Sequence, residues 1–153
     1  MPTFSYSLPE RLFDPKKFAR AFGRELPISP KKTVELCRAI RGMKVPDARD
    51  YLERVARMEQ AVPYRRYNRW VAHKPGIGPG RYPVKSAKAV LKIVESAAKN
   101  ATDQDMEPEE MRIRVISPHR GRIRKGFMPR AHGTSGPWNQ ETVNLEIILE
   151  KVS

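Results

Sequence analysis

The sequence predicts a fold of the α+β class, with helices first and a long antiparallel pair of strands last. Two observations carry this expectation. Apolar residues recur at helical spacing in three stretches between positions 30 and 101, and from Met111 onward the period drops to two. A third observation, the charge, bears on what the fold is for: 30 Lys and Arg against 17 Asp and Glu give +13, with a sequence pI of about 10.2.

Residues 1–20 read as an irregular arm, punctuated by Pro2, Pro9 and Pro15, with Phe4, Tyr6, Phe13 and Phe18 available to dock it. Residues 19–28 are expected to form a short strand ended by Pro27. The first helix has Ser29 as N-cap, Pro30 in its first position and Gly42 as its stop. Its stripe is Val34, Cys37 and Ile40, which leaves Lys31, Lys32, Glu35, Arg38 and Arg41 mostly off it. The second helix begins near Pro46 and Asp47, and Ala48, Tyr51, Leu52, Val55 and Ala56 form its buried face. In the third, Ala87, Val90, Leu91, Val94, Ala97, Ala98 and Ala101 make one stripe whose small residues allow close packing on a sheet. Lys85, Lys88, Lys92 and Lys99 lie away from its centre.

Residues 60–82 form a long connection rich in Pro, Gly, Arg and aromatics, a composition that suits a binding loop. Residues 103–110 hold five acids and read as a solvated turn with no core-facing partner. Beyond it, Met111, Ile113 and Val115 alternate with Arg112 and Arg114, and Val143, Leu145, Ile147 and Leu149 alternate with Thr142, Asn144, Glu146 and Ile148. The two segments should pair antiparallel as one hairpin over 111–152, with bulges at Gly121 and Gly126.

The 153 residues, 39% of them hydrophobic, fit a single domain with one modest core. The lone Cys37 excludes an internal disulfide and a Cys-based zinc site, and reads as a small core residue. No apolar run approaches the ~20 residues of a membrane span, and residues 1–10 lack a signal-peptide core. The expected location is the cytoplasm, with no membrane partner.

An excess of positive charge opposes compaction, so it implies a polyanionic partner. The hairpin is where that partner should bind. A body of about 110 residues has a diameter of roughly 35 Å, whereas residues 111–129 would span close to 60 Å at ~3.3 Å per residue. The arm should therefore protrude, and a lone two-stranded ribbon needs a partner to hold it. Residues 111–140 carry seven Lys or Arg and no acid. A second basic surface covers residues 60–94, with eight basic residues, again no acid, and Tyr64, Tyr67, Trp70 and Tyr82 interleaved as stacking on bases requires. Either Trp70 or Tyr64 is expected to pack the loop onto the body instead. The expected RNA-facing residues are Lys31 and Lys32 in the first helix, Arg65, Arg66, Tyr67, Arg69 and Arg81 in the loop, and Lys85 and Lys88 in the third helix. The hairpin adds Arg120, Arg122, Arg124, Lys125 and Arg130.

Catalytic patterns fail. Gly76, Gly78 and Gly80 fit neither phosphate-loop spacing, no strand is expected before them, and they read as a flexible turn. His73, His119 and His132 lack metal-ligand spacing, and Ser29, Ser86 and Ser117 lack a His/Asp constellation. No metal or cofactor is expected. The alternatives to structural RNA binding are an RNA-processing or modifying enzyme using His119 or His132, and a DNA-compacting protein.

Several runs in order resemble a known family. They are Ser-Pro-Lys-Lys at 29–32, Ile-Arg-Gly-Met-Lys at 40–44, Val-Pro-Tyr-Arg-Arg-Tyr-Asn at 62–68, Gly-Arg-Tyr-Pro-Val-Lys-Ser-Ala at 80–87, Pro-Arg-Ala-His-Gly at 129–133 and Asn-Leu-Glu-Ile-Ile-Leu-Glu at 144–150. The chain resembles the universal large-subunit ribosomal protein L-twenty-two family in its archaeal and eukaryotic form. That resemblance implies three helices packed on a three-stranded antiparallel sheet, with a long protruding basic β-hairpin. It also implies large-subunit rRNA and neighbouring large-subunit proteins as partners, and a part in subunit assembly. The hairpin would thread rRNA, and its tip, Met128, Arg130, Ala131, His132 and Gly133, would line the polypeptide exit tunnel and meet the nascent chain. The chain departs from the family just past the tip glycine, where Thr134 and Ser135 replace a basic residue.

Overall fold

The computed structural model describes residues 6–152, so Pro2 and Phe4 of the expected arm lie outside it. The fold is α+β, with three helices and antiparallel sheets. Strand β1 (Phe18–Leu26) leads into helices α1 (Pro30–Ile40) and α2 (Val45–Ala56). Short strands β2 (Val62–Pro63), β3 (His73–Lys74) and β4 (Gly78–Arg81) precede helix α3 (Val84–Thr102). Strands β5 (Met111–Arg124), β6 (Phe127–Pro129), β7 (Ser135–Pro137) and β8 (Gln140–Lys151) complete the chain.

The main sheet has the order β1-β8-β5, all antiparallel. Its helix face presents Ala19, Ala21, Ile113, Ile116, Leu145, Ile147 and Leu149 to one core that also takes Leu36, Cys37, Leu52, Val55, Val90, Val94 and Ala97. At α3 the small residues act as the sequence suggests. The helix lies so close to β1 that a Cβ at Gly23 would stand 2.8 Å from Ile93 Cδ1, and Asn100 Nδ2 donates to the Arg20 carbonyl at 2.9 Å. Cys37 is buried, and burial pushes its thiol up to about 12, with Arg41 opposing.

Several local expectations need correction. Ser29 stands at the N-cap of α1, but its side chain makes no cap bond; its carbonyl accepts from the Thr33 N–H and hydroxyl at 3.0 and 2.8 Å. The β5 alternation slips between Ile113 and Val115, so Ile113 and Ile116, rather than Val115, share the core face. The turn between α1 and α2 docks on that strand edge, where the Gly42 N–H donates to the Ile113 carbonyl and the Ile113 N–H to the Met43 carbonyl, both at 2.9 Å. A slip between Arg120 and Ile123 places a bulge at Gly121, but none occurs at Gly126, because the partner pairs advance equally on both sides of it. The acidic turn buries Met106 in the core, so it is not wholly solvated. The glycine run is the turn and second strand of a small hairpin, with β3 directly before it and Gly76 and Gly78 at φ +76° and +70°.

The outer face of the main sheet is covered too. Glu146 and Ile148, expected on a polar face, are buried in β8. The arm closes over them: the Ser7 N–H donates to Glu146 at 2.7 Å and its hydroxyl to the other carboxylate oxygen, while Tyr6 meets Phe22 edge-on at 6.5 Å. Arg20 lies over the Tyr6 and Phe13 rings at 4.6 and 4.4 Å. At the far end Glu150 accepts from Arg112 Nε and Nη2 at 3.1 and 2.8 Å and from Arg114 Nη1.

A buried acid also fixes the loop that follows α2. Glu35 is on α1 but only 1% exposed. Its carboxylate accepts the backbone N–H groups of Arg65, Arg66 and Tyr67 at 3.1, 2.7 and 2.7 Å. Three consecutive donors converging on one anion form a nest that sets the loop before any ligand arrives.

Two predictions follow from these acids. Glu35→Ala leaves the three loop donors without their acceptor and should cost roughly 1–3 kcal/mol; hydrogen exchange should speed at Arg65, Arg66 and Tyr67 and not in β8. At Glu150, burial opposes the charge, but the hydrogen bonds and attraction from Arg112 and Arg114 outweigh it and lower the pKa. The resulting stability is complete above the unfolded carboxylate's value and is lost as pH falls through the lower, folded one. Urea midpoints should drop on acidification below about pH 4.5, and Glu150→Gln should drop less; equal losses would contradict this role for the pair.

Candidate nucleic-acid interface

The Glu35 nest turns the loop toward the start of α1. Between them lies a groove of about 400 Å³ lined by Ser29, Lys31, Lys32, Tyr64, Arg66, Tyr67, Arg69, Trp70, Val71 and Arg81. Six expected RNA-facing residues thus come together from three segments: Lys31, Lys32, Arg66, Tyr67, Arg69 and Arg81. Cations flank the Tyr67 ring, with Lys31 Nζ at 5.9 Å and the Arg66 guanidinium at 5.4 Å from its centroid. Lys74 stands similarly 5.4 Å over Tyr82.

The two aromatics expected to choose between packing and display divide the work. Tyr64 is buried, and burial pushes its phenol up to about 12, Arg81 opposing and Glu35 adding to it. Trp70 does the reverse. It is 96% exposed and adopts a left-handed backbone with φ 58°, while Arg81 Nη2 donates to its carbonyl at 3.3 Å. A strained residue that holds an indole in water is a feature of binding sites.

The remaining residues lie elsewhere. Arg65 contributes its N–H to the nest, but its side chain lines a different groove with Glu35, Arg38 and Tyr51. Lys85 at the start of α3 and Arg124 at the end of β5 meet across a cleft of about 410 Å³, which also contains Glu141. Arg124 and Lys125 line a third cleft. Lys88, Arg120 and Arg122 are exposed and line none of these four.

The far end of the paired strands keeps itself in order. β6 and β7 continue the β5–β8 register, from Phe127 opposite Pro137 to Pro129 opposite Ser135. The Arg130 N–H then donates to the Thr134 carbonyl at 2.8 Å. His132 and Gly133 turn the chain with φ 58° and 68°, and the Thr134 hydroxyl donates to the Ala131 carbonyl at 2.8 Å. Thr134 therefore braces the turn. From residue 119 to residue 141 no side chain is buried. Arg112 and Arg114, counted with the acid-free run, are engaged by Glu150 across the sheet and are not free for an anion. His119 Nε2 lies 3.9 Å from the buried Glu146, and no cluster of His, Cys, Asp or Glu among the described residues could hold a metal. No described helix is long and apolar enough to cross a membrane.

Comparison with known proteins places the chain in a family. The family "Ribosomal protein L22p/L17e" matches residues 21–150. A protein of Methanothrix thermoacetophila, the "Large ribosomal subunit protein uL22", is 50% identical over 139 residues, covering 89% of this chain and 91% of the relative. Relatives of the same name in Ignicoccus hospitalis and Methanopyrus kandleri are 45% and 42% identical, covering 99% and 95% of this chain and 99% and 94% of their own lengths. The chain is a member of the ribosomal protein L22p/L17e family.

Proposed function

We propose that this chain is a non-catalytic structural protein of the large ribosomal subunit, in the cytoplasm, that binds rRNA and aids subunit assembly. One observation carries the reading beyond family membership: eight cationic or aromatic residues from α1, the loop and β4 converge on a single groove whose lining contains no acid. Arginine forks and stacked tyrosines suit RNA, whose phosphates and splayed bases need both kinds of contact.

The paired strands form the second contact. From Arg120 to Arg130 the chain runs eleven residues with none buried, ten steps that span roughly 33 Å at ~3.3 Å per residue. In this reading they are a long protruding hairpin, threaded through rRNA, whose basic residues Arg120, Arg122, Arg124, Lys125 and Arg130 neutralise phosphate. Met128, Arg130, Ala131, His132 and Gly133 line the exit tunnel and meet the nascent polypeptide. With Thr134 in place of a basic residue, the turn is braced by a hydroxyl and its charge rests on Arg130. Lys85 and Lys88 extend the body's contact, and neighbouring large-subunit proteins complete its surroundings.

Chemical footprinting of large subunits tests this: two separate protected rRNA regions are expected, one lost with Arg66→Ala and Arg69→Ala and the other with Arg122→Ala and Arg124→Ala. Unaltered reactivity in both sets of variants would reject the assignment. On the isolated protein, the Arg122→Ala, Arg124→Ala variant should bind RNA more weakly. Its log–log salt slope should flatten by roughly 0.7–0.9 for each lost phosphate contact. An unchanged slope would remove these two arginines from the contact.

A further inference from the structure

Halfway along the exposed paired strands lies a cleft of about 340 Å³, lined by Arg124, Lys125, Gly126, Phe127, Trp138 and Gln140. The register defines how it is built. Partners advance together from Arg124 opposite Gln140 to Phe127 opposite Pro137. Gly126 therefore stands opposite Trp138, whose N–H donates to the Gly126 carbonyl at 2.6 Å. Residues 125–126 and 138–139 lie between the two ladders, and there the cleft brings Trp138 and Phe127 together with Arg124, Lys125 and Gln140. A Cβ at position 126 would stand 2.7 Å from the Trp138 carbonyl oxygen. Glycine is required by this close approach, and it leaves the indole with no side chain opposite it.

Trp138 is 55% and Phe127 76% exposed. Exposed aromatics without a polar cover mark a binding surface, and the charge around them selects the occupant. Arg124 and Lys125 flank the rings, residues 111–140 contain no acid, and the next acid, Glu141, lines the neighbouring cleft with Lys85 and Arg124 and not this one. A free phosphate would have no use for the indole, and an apolar peptide none for the two cations. The occupant that uses both is a flat aromatic group joined to negative charge.

We propose that this cleft is a stacking slot for one unpaired nucleobase. Trp138 supplies the stacking surface, Gln140 an amide donor and acceptor for the base edge, and Arg124 and Lys125 the contacts to the flanking phosphates. The slot rests on the RNA-binding reading and adds to it a base contact in a segment otherwise suited to phosphates.

The test uses the full chain with Trp70→Phe, which leaves Trp138 as the one tryptophan. Its emission is followed while a ten-residue oligoadenylate, or the same backbone made abasic, is added; binding is read separately by anisotropy of the labelled oligonucleotide. Oligoadenylate should remove most of the Trp138 emission and the abasic strand should not. Trp138→Ala in the same background should weaken oligoadenylate binding roughly 5- to 150-fold, the range for one stacked base, and leave abasic binding unchanged. If oligoadenylate binds without quenching, or both strands quench alike, the slot is overturned and the RNA-binding reading stands. The slot is also overturned if Trp138→Ala leaves oligoadenylate affinity unchanged. If neither strand binds at low salt, both readings fall together.

Discussion

Strand β8 is the constraint on which the other parts depend. It is the middle strand of the main sheet, so it completes the ladders of both β1 and β5. It is also buried on both faces from Thr142 to Leu149, apart from a half-buried Asn144. Leu145, Ile147 and Leu149 seal the helix side, while Glu146 and Ile148 sit beneath the arm. Its first residues pair with the exposed end of β5. One strand thus fixes the body and also pairs with the exposed, basic end of β5, so the placing of that end is tied to the core.

Electrostatics reinforce this division. Glu35, Glu146 and Glu150 are each satisfied by the chain itself: a backbone nest, a serine of the arm and two arginines. These acids hold the loop, the arm and the sheet edge in place. The lining of the groove contains no acid and residues 111–140 carry none, while Glu141 at the base of the exposed strands shares a cleft with Lys85 and Arg124. Self-repulsion on such a surface is relieved by a polyanion, which is the kind of partner the proposed function requires.

How far the sequence foretold this depends on the range of each contact. Helices were legible because their signals are local: Pro30, Gly42 and the α3 stripe all lie where the periodicity puts them. The burial of Glu35 was not legible, since a glutamate off the apolar stripe reads as solvated and its three partners are some thirty positions away. Ile148 and Glu146 were assigned to a polar face for a related reason, because period-two reasoning cannot see an arm that folds over a sheet. The bulge at Arg114 was hidden in an apparently regular alternation. For the candidate site, residue type was legible and grouping was not. Lys31 and Lys32 share a groove with Arg66 and Arg69 only through the nest, whereas Arg65, between the nest and the same loop, faces elsewhere. Trp138 went unnoticed because its place beside Gly126 is a matter of register between distant positions.

If the outward charge and the anchored strands exist to hold this chain in an RNA scaffold, it should behave as an integral part of the particle and not as a loosely attached factor. The direct measurement is sedimentation of large subunits through a high-salt cushion, from cells expressing the chain, with the protein quantified against a resident subunit protein. The account predicts retention in constant proportion to the subunit after the wash. Recovery of most of the protein free of subunits would contradict it.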